Sequence, residues 1–132
     1  MLALLIGLGL VAGGCGQDEI PTCPVCGKVT YKGRPVPPGK ILFTGVDPGL
    51  PNAMGEIDSD GAYRLTTHKP GDGAAAGDYK VTILVFDLRA PATDVSTWKP
   101  KPLIPIQYTT LDKTPLVQTV KKQPVNTIDF EL

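Results

Sequence analysis

Residues 58–66 read DSDGAYRLT, a polar turn that leads directly into a strand. Asp side chains accept hydrogen bonds from the backbone two residues further on, and Gly61 tolerates a positive φ angle, so the chain can reverse direction here. After the turn, Tyr63 and Leu65 point to one side and Arg64 to the other, which is the period-two pattern of a half-buried strand. A tight turn between strands predicts an antiparallel β-protein.

The same alternation recurs along the chain between Gly- and Pro-rich turns. It predicts strands over residues 25–31, 40–44, 54–57, 62–66, 79–86 and 126–132. The strand at 79–86 is the most apolar stretch after the N-terminal segment, and its alternate side chains should form the centre of the core. The residues predicted to be buried together are Tyr79, Val81, Ile83, Val85, Ile41, Phe43, Tyr63, Leu65, Ile128 and Phe130.

Composition limits the classes of function. The chain has 132 residues, which is enough for one domain, and it carries 13 basic and 13 acidic residues with no block of one sign. Nucleic-acid binding therefore has no electrostatic support. The 15 Gly and 14 Pro residues fall between apolar runs and not in low-complexity tracts, so they indicate the turns of an all-β protein.

The N-terminus is typical of an export signal. Residues 2–11 are uncharged and apolar, with the length of a secretory signal and too few residues to span a membrane. The sequence Ala-Gly-Gly that precedes Cys15 resembles the lipobox of bacterial lipoproteins, in which the Cys is acylated and becomes the mature first residue. The alternative is an ordinary cleaved signal with an incidental Cys. We expect a lipoprotein signal peptide over residues 1–14, a lipidated Cys15 with a short tether to residue 23, and a protein anchored to a bacterial membrane facing the periplasm or the exterior.

Five short motifs carry a further resemblance, and they occur in order with compatible spacing. They are Val25-x-Gly27-x-Val29, Gly33-x-Pro35-Val36, Gly39-x-Ile41-x-Phe43, Asp58-x-Asp60-Gly61-x-Tyr63-x-Leu65 and Gly77-x-Tyr79-x-Val81-x-Ile83. Together they resemble the carboxypeptidase regulatory-like domain, and with the lipobox the whole chain is similar to small bacterial lipoproteins that carry one such domain. The resemblance implies that residues 24–132 form an all-β, transthyretin-like (prealbumin-like) seven-stranded antiparallel β-sandwich without catalytic residues of its own.

Cys23 and Cys26 form a Cys-x-x-Cys pair, which occurs in redox centres, metal half-sites and local disulfides. A thioredoxin-type site needs its first Cys at a helix N-terminus, whereas this pair leads into a strand. A structural zinc site needs four ligands, and only Cys15 and His68 remain as candidates. We therefore expect a disulfide or two free thiols, with a redox or metal-handling lipoprotein as the alternative function.

Residues 87–115 show neither helical nor strand periodicity and contain several Pro residues. Trp98, Lys99 and Lys101 combine an aromatic ring, two cations and a polyproline-like backbone, so they are the predicted contact surface. The alternative is that Trp98 folds back over a sheet edge, because Trp is usually well buried.

No convergent set of acid, base and nucleophile is evident in the sequence. Ser59 lacks a nucleophile elbow, and His68 lies in a loop. A calcium loop around Gly61 would place Thr67 where a Glu ligand is required. The sequence predicts a non-enzymatic, membrane-tethered structural or binding module of the cell envelope. We expect no cofactor and no metal, and partners among the membrane, envelope proteins and glycans.

Overall fold

The structure is a computed structural model that describes residues 20–132, so the predicted signal peptide and the predicted lipidation site Cys15 lie outside the described residues. Within the described range the chain is all-β with one 3₁₀ helix. The elements are β1 (Thr22–Cys23), β2 (Val25–Tyr31), β3 (Arg34–Pro35), β4 (Gly39–Gly45), β5 (Ala53–Ile57), β6 (Ala62–Arg64), β7 (Ala74–Ala75), β8 (Gly77–Leu84), β9 (Phe86–Asp87), β10 (Lys101–Pro102), the 3₁₀ helix (Ile106–Thr109), β11 (Val117–Val120), β12 (Asn126–Thr127) and β13 (Phe130–Glu131). No helix in this range is long and apolar enough to cross a membrane.

Two larger sheets form a β-sandwich. The first has the order β11-β8-β4-β5 with all neighbours antiparallel, and its register places Ile41 opposite Ile83. In the second, β2 lies at the centre, with β12 and β13 along one edge and β3 and β6 along the other. Two short pairs, β1 with β7 and β9 with β10, complete the pairing.

The core lies between the two sheets and contains the predicted residues. All of them are buried except Ile128, which is half-buried and packs against the cluster. Phe43 from the first sheet contacts aromatic rings from both sheets, with centroid distances of 5.7 Å to Tyr79, 6.1 Å to Phe130 and 6.4 Å to Tyr63. These rings adopt tilted or edge-on geometries, which aromatic pairs prefer.

The C-terminus departs from a wholly antiparallel arrangement, because β12 and β13 pair with β2 in parallel. β11 ends beside the start of β8, and the following turn delivers the chain to the beginning of β2, where the amide of Asn126 donates to the carbonyl of Pro24 at 2.8 Å. From that point the last strand can only run in the same direction as β2. The all-β, sandwich-like prediction is confirmed, and the antiparallel sheets are present alongside this parallel edge.

Segments near the end of β8 also differ from their predicted form. Within residues 87–115, predicted as a surface excursion, Leu103 donates its amide to Val85 at 3.0 Å and Thr114 donates its hydroxyl to the carbonyl of Val81 at 2.6 Å. These bonds continue along the edge of β8 beyond β11. The sequence predicted neither these contacts with the edge of β8 nor the strand β11. Segments that bind a sheet edge only through their backbone need no alternation of apolar and polar residues, so no such pattern marks them in the sequence.

The turn before β6 has the predicted geometry. The Asp58 carboxylate accepts hydrogen bonds from the amides of Asp60 at 2.8 Å and Ala62 at 3.0 Å, which makes an Asx turn. Gly61 has a φ of 77°, and a Cβ atom at this position would lie 2.6 Å from the carbonyl oxygen of Val29. The glycine therefore serves both the turn and its close approach to β2.

We predict that Gly61→Val lowers the free energy of unfolding by about 1 to 3 kcal/mol, because the substitution forces a β-branched residue into the left-handed region and against Val29. Ser59→Ala, an exposed change in the same turn, should cost no more than about 0.5 kcal/mol. Urea denaturation of both variants measures the difference. A neutral Gly61→Val would mean that the turn does not need its glycine.

Candidate functional site

A groove of about 540 Å³ lies on the outer face of the second sheet, where β2, β6 and the C-terminal strands meet. Along β2, Cys26 and Lys28 alternate with buried Val25 and Val29, so their side chains face outward. Register places Arg64 of β6 on one side of Cys26 and Thr127 of β12 on the other. The residues that line the groove are Cys26, Gly27, Lys28, Asp58, Ala62, Tyr63, Arg64, Thr127 and Asp129.

The charged side chains of the groove divide into two kinds. Both carboxylates already accept backbone hydrogen bonds, Asp58 from its own turn and Asp129 from the amide of Lys28 at 2.9 Å. The only salt bridge among residues 20–132 joins Arg89 to Asp87, so neither Lys28 nor Arg64 pairs with a described carboxylate. The acids hold the groove in shape, while the two cations remain available to a partner.

The groove exists because the C-terminal strand is broken opposite Gly27. Here the carbonyl of Ile128 turns inward, and any side chain at Gly27 would collide with it. Tyr63 lies opposite Gly27 on the neighbouring strand β6. Its hydroxyl donates to the carbonyl of Ile128 at 2.5 Å. Burial, and to a smaller extent the nearby Asp129 carboxylate, raise the pKa of Tyr63 well above its usual range, so the hydroxyl remains protonated and able to donate.

The predicted cysteine pair is split between two environments. Both residues are free thiols in the described chain. Cys23 lies in β1 opposite Ala74 and packs partly against the core, whereas Cys26 lines the outer groove. Within residues 20–132, no three His, Cys, Asp or Glu side chains gather as a metal site requires. The structure therefore does not bring the two sulfur atoms to a common site.

The predicted contact residues of the long loop lie apart from the groove. Trp98 is half-buried but is not part of the core cluster, and Lys99 is exposed. Lys101 is exposed in β10 and lies opposite Asp87 in the antiparallel pair of β10 with β9. The Arg89 side chain, with a smaller contribution from Lys101, holds the pKa of the Asp87 carboxyl well below its usual range. These three residues remain a predicted contact surface, and none of them lines the groove.

The loop that contains His68 is held by Asp72. The carboxylate of Asp72 accepts the amides of Thr67, His68 and Lys69 at 2.7 to 3.0 Å. Partial burial opposes ionisation, but these three donors outweigh it and lower the pKa of Asp72. The His68 backbone thus has a structural role, and its side chain is separate from the groove.

Sequence reasoning missed three of the four charged residues of the groove and recognised the fourth, Asp58, only as a turn residue. Lys28, Arg64 and Asp129 each occupy an outward position of a predicted strand, but alternation alone does not show which outward positions become neighbours. That information lies in the register between β2 and strands about 35 and 100 residues further along the chain. The break opposite Gly27 was visible only as a glycine within a strand, which often marks a bulge or a close backbone approach.

No model of a known protein family, no curated protein and no solved structure matches this chain. The fold and the groove are therefore the features that bear on function.

We predict that Tyr63→Phe lowers the free energy of unfolding by about 1 to 3 kcal/mol, because it leaves the inward carbonyl of Ile128 without its donor. Tyr31→Phe is the matched control, since Tyr31 is only half-buried and the ring contacts the ammonium group of Lys32. Urea denaturation should show a larger loss for Tyr63→Phe. Equal effects would mean that the Tyr63 hydroxyl contributes nothing specific.

Proposed function

We propose that this chain is a non-enzymatic module of the cell envelope, tethered to a membrane through Cys15, that presents the groove of its second sheet to a partner. The observation that supports it most directly is which charged side chains of the groove already have partners within the fold and which do not. Asp58 and Asp129 are engaged by backbone amides, whereas Lys28 and Arg64 are unpaired with described carboxylates. The carboxylates accept these bonds through Oδ1 and so fix the shape of the groove, while the two cations supply the available charge that a docking surface needs.

The short sequence interval between Cys15 and the first strand supports the tether. β1 begins at Thr22, seven residues after Cys15, so at most about 25 Å of extended chain can separate them. β2 then leads away from that end for seven residues, or about 23 Å. A lipid on Cys15 would hold the first end near the membrane and direct the Lys32–Gly33 turn away from it, with the groove between them.

We further propose that the sandwich is of the transthyretin-like kind found in carboxypeptidase regulatory-like domains. The support is the order of the five motifs in the sequence and the two-sheet arrangement around Phe43. Because the two sheets enclose the core, the outer faces and loops are the surfaces left to contact envelope proteins or glycans. Trp98, Lys99 and Lys101 provide a second outward contact surface.

Replacement of Cys15 tests the tether. We expect Cys15→Ala to lose acylation and to move from the membrane fraction to the soluble fraction, because two or more acyl chains are needed for stable anchoring. Fractionation with metabolic labelling by a palmitate analogue measures both effects. Cys26→Ala is the matched control and should remain labelled. Unchanged labelling of Cys15→Ala would contradict the lipoprotein proposal.

A photo-crosslinking residue placed at Thr127 or at Lys80 tests the groove in the anchored protein. Thr127 is exposed and lines the groove, whereas Lys80 is exposed on the outer face of the first sheet and controls for general proximity. We expect discrete crosslinked products from position 127 that are absent from position 80 and are lost with Arg64→Glu. Identical products from both positions, or none from either, would contradict a partner-binding groove.

A further inference from the structure

Cys23 and Cys26 lie three residues apart on one extended segment of chain. β1 ends at Cys23 and β2 begins at Val25, so Pro24 alone interrupts the pairing. Residues of opposite parity on extended chain face opposite ways, which agrees with Cys23 packing against the core and Cys26 lining the outer groove.

This arrangement is incompatible with a local disulfide. Three residues of extended chain separate the two Cα atoms by about 10 Å, whereas bridged cysteines lie within roughly 7 Å. A bridge therefore requires the backbone at Pro24 and Val25 to turn. The dithiol state is the one that allows the segment to remain extended.

Such a turn would remove hydrogen bonds that the extended segment supplies to three parts of the fold. The carbonyl of Pro24 accepts the amide of Asn126 at 2.8 Å, and the carbonyl of Val25 accepts the amide of Leu65 at 3.0 Å. The Cys23 carbonyl lies directly against Gly73, where any Cβ atom would collide with it. Pairing of β1 with β7 depends on the same extended backbone.

We propose that the cysteine pair is a redox-sensitive latch: as two thiols it allows the backbone of β1 to remain paired with β7, and oxidation to an intramolecular disulfide releases β1 and loosens the start of β12. This inference goes beyond the proposed function: release of β1 does not depend on it, whereas the effect on the tether rests on the proposed anchor at Cys15. The reaction is thiol–disulfide exchange with a small-molecule or protein disulfide. One Cys thiolate attacks a sulfur of the oxidant, which breaks the oxidant's S–S bond, forms a mixed disulfide and releases one thiolate. The second Cys thiolate then attacks the first Cys sulfur, which breaks the mixed disulfide, forms the bond between Cys23 and Cys26 and releases the second thiolate. The two cysteine protons pass to the two released thiolates, so the cysteine pair is oxidised by two electrons and the oxidant is reduced to two thiols.

Release of β1 would also lengthen the connection to the N-terminal segment. Residues 20–23 span about 13 Å when extended. In a chain anchored through Cys15, oxidation would therefore give the sandwich a longer and freer tether. The latch would report the redox state of the compartment as the distance and orientation of the groove relative to the membrane.

Amide hydrogen exchange tests the latch on the full chain with Cys15→Ser, in detergent solution, so that only two thiols remain. The protein is treated with dithiothreitol or with oxidised glutathione, and mass spectrometry identifies the intramolecular bridge by the loss of two hydrogens without an adduct. In the bridged form the amides of Leu65 and Asn126 should exchange at least about tenfold faster than in the dithiol form, because each loses its acceptor. The amides of Val36 and Val81, bonded to Val29 and Leu116, should change less than about twofold.

Cys26→Ser is the control, and its exchange pattern should be the same with and without glutathione apart from any effect of an adduct on Cys23. Three results would each overturn the proposal. The first is a bridged protein in which Leu65 and Asn126 remain protected. The second is a folded chain that forms only glutathione adducts. The third is a bridge that forms only after denaturation in urea.

Discussion

The second sheet depends on the capacity of one strand, β2, to bond four separate segments. On one edge it meets β6 and β3, and on the other β12 and β13. Between these strands, individual backbone hydrogen bonds continue the pairing. The amide of Val29 donates to the carbonyl of Gly61 at 2.8 Å, and the amide of Val36 donates to the carbonyl of Val29 at 3.1 Å. The partners lie from about 5 to 100 residues away in sequence, so this strand must recruit distant parts of the chain before the sandwich can close.

At the break in the C-terminal strand, β2 keeps its backbone groups paired although regular strand pairing stops there. Opposite Gly27 the regular ladder stops, and side chains replace the missing backbone partners. The Asp129 carboxylate accepts the amide of Lys28, and the Tyr63 hydroxyl donates to the carbonyl of Ile128. The Tyr63 hydroxyl satisfies a part-buried carbonyl that would be costly to leave unpaired, and Asp129 supplies the acceptor on the exposed side of the break. The same break opens the groove, so the proposed binding surface is a consequence of how the sheet edge is completed.

The sequence predicted the elements better than their assembly. Alternation identified the inward faces of β4, β6 and β8, and the need for Gly61 followed from turn chemistry, because both are local properties. The direction of the last strand did not follow, since residues 126–132 alternate equally well in a parallel or an antiparallel pair. The groove was missed for a related reason: Lys28, Arg64 and Asp129 become neighbours only through the register of strands far apart in sequence. Cys26 was singled out by its spacing from Cys23, and its place in the groove followed only from the register of β2 with its neighbours.

The long loop determines which outer face remains open. Sequence reasoning assigned it to a contact surface because it is polar, rich in Pro and contains Trp98. In the structure its second half follows the edge of β8, where the amide of Val81 donates to the carbonyl of Leu116 at 2.9 Å and Ile104 and Thr114 are buried. The 3₁₀ helix lies against β8, and Thr82 is buried although it occupies an outward position of that strand. The first sheet is thus partly covered by its own chain. The second sheet keeps Cys26, Lys28 and Arg64 accessible around a groove, so the sheet, more than the loop, offers the proposed docking surface.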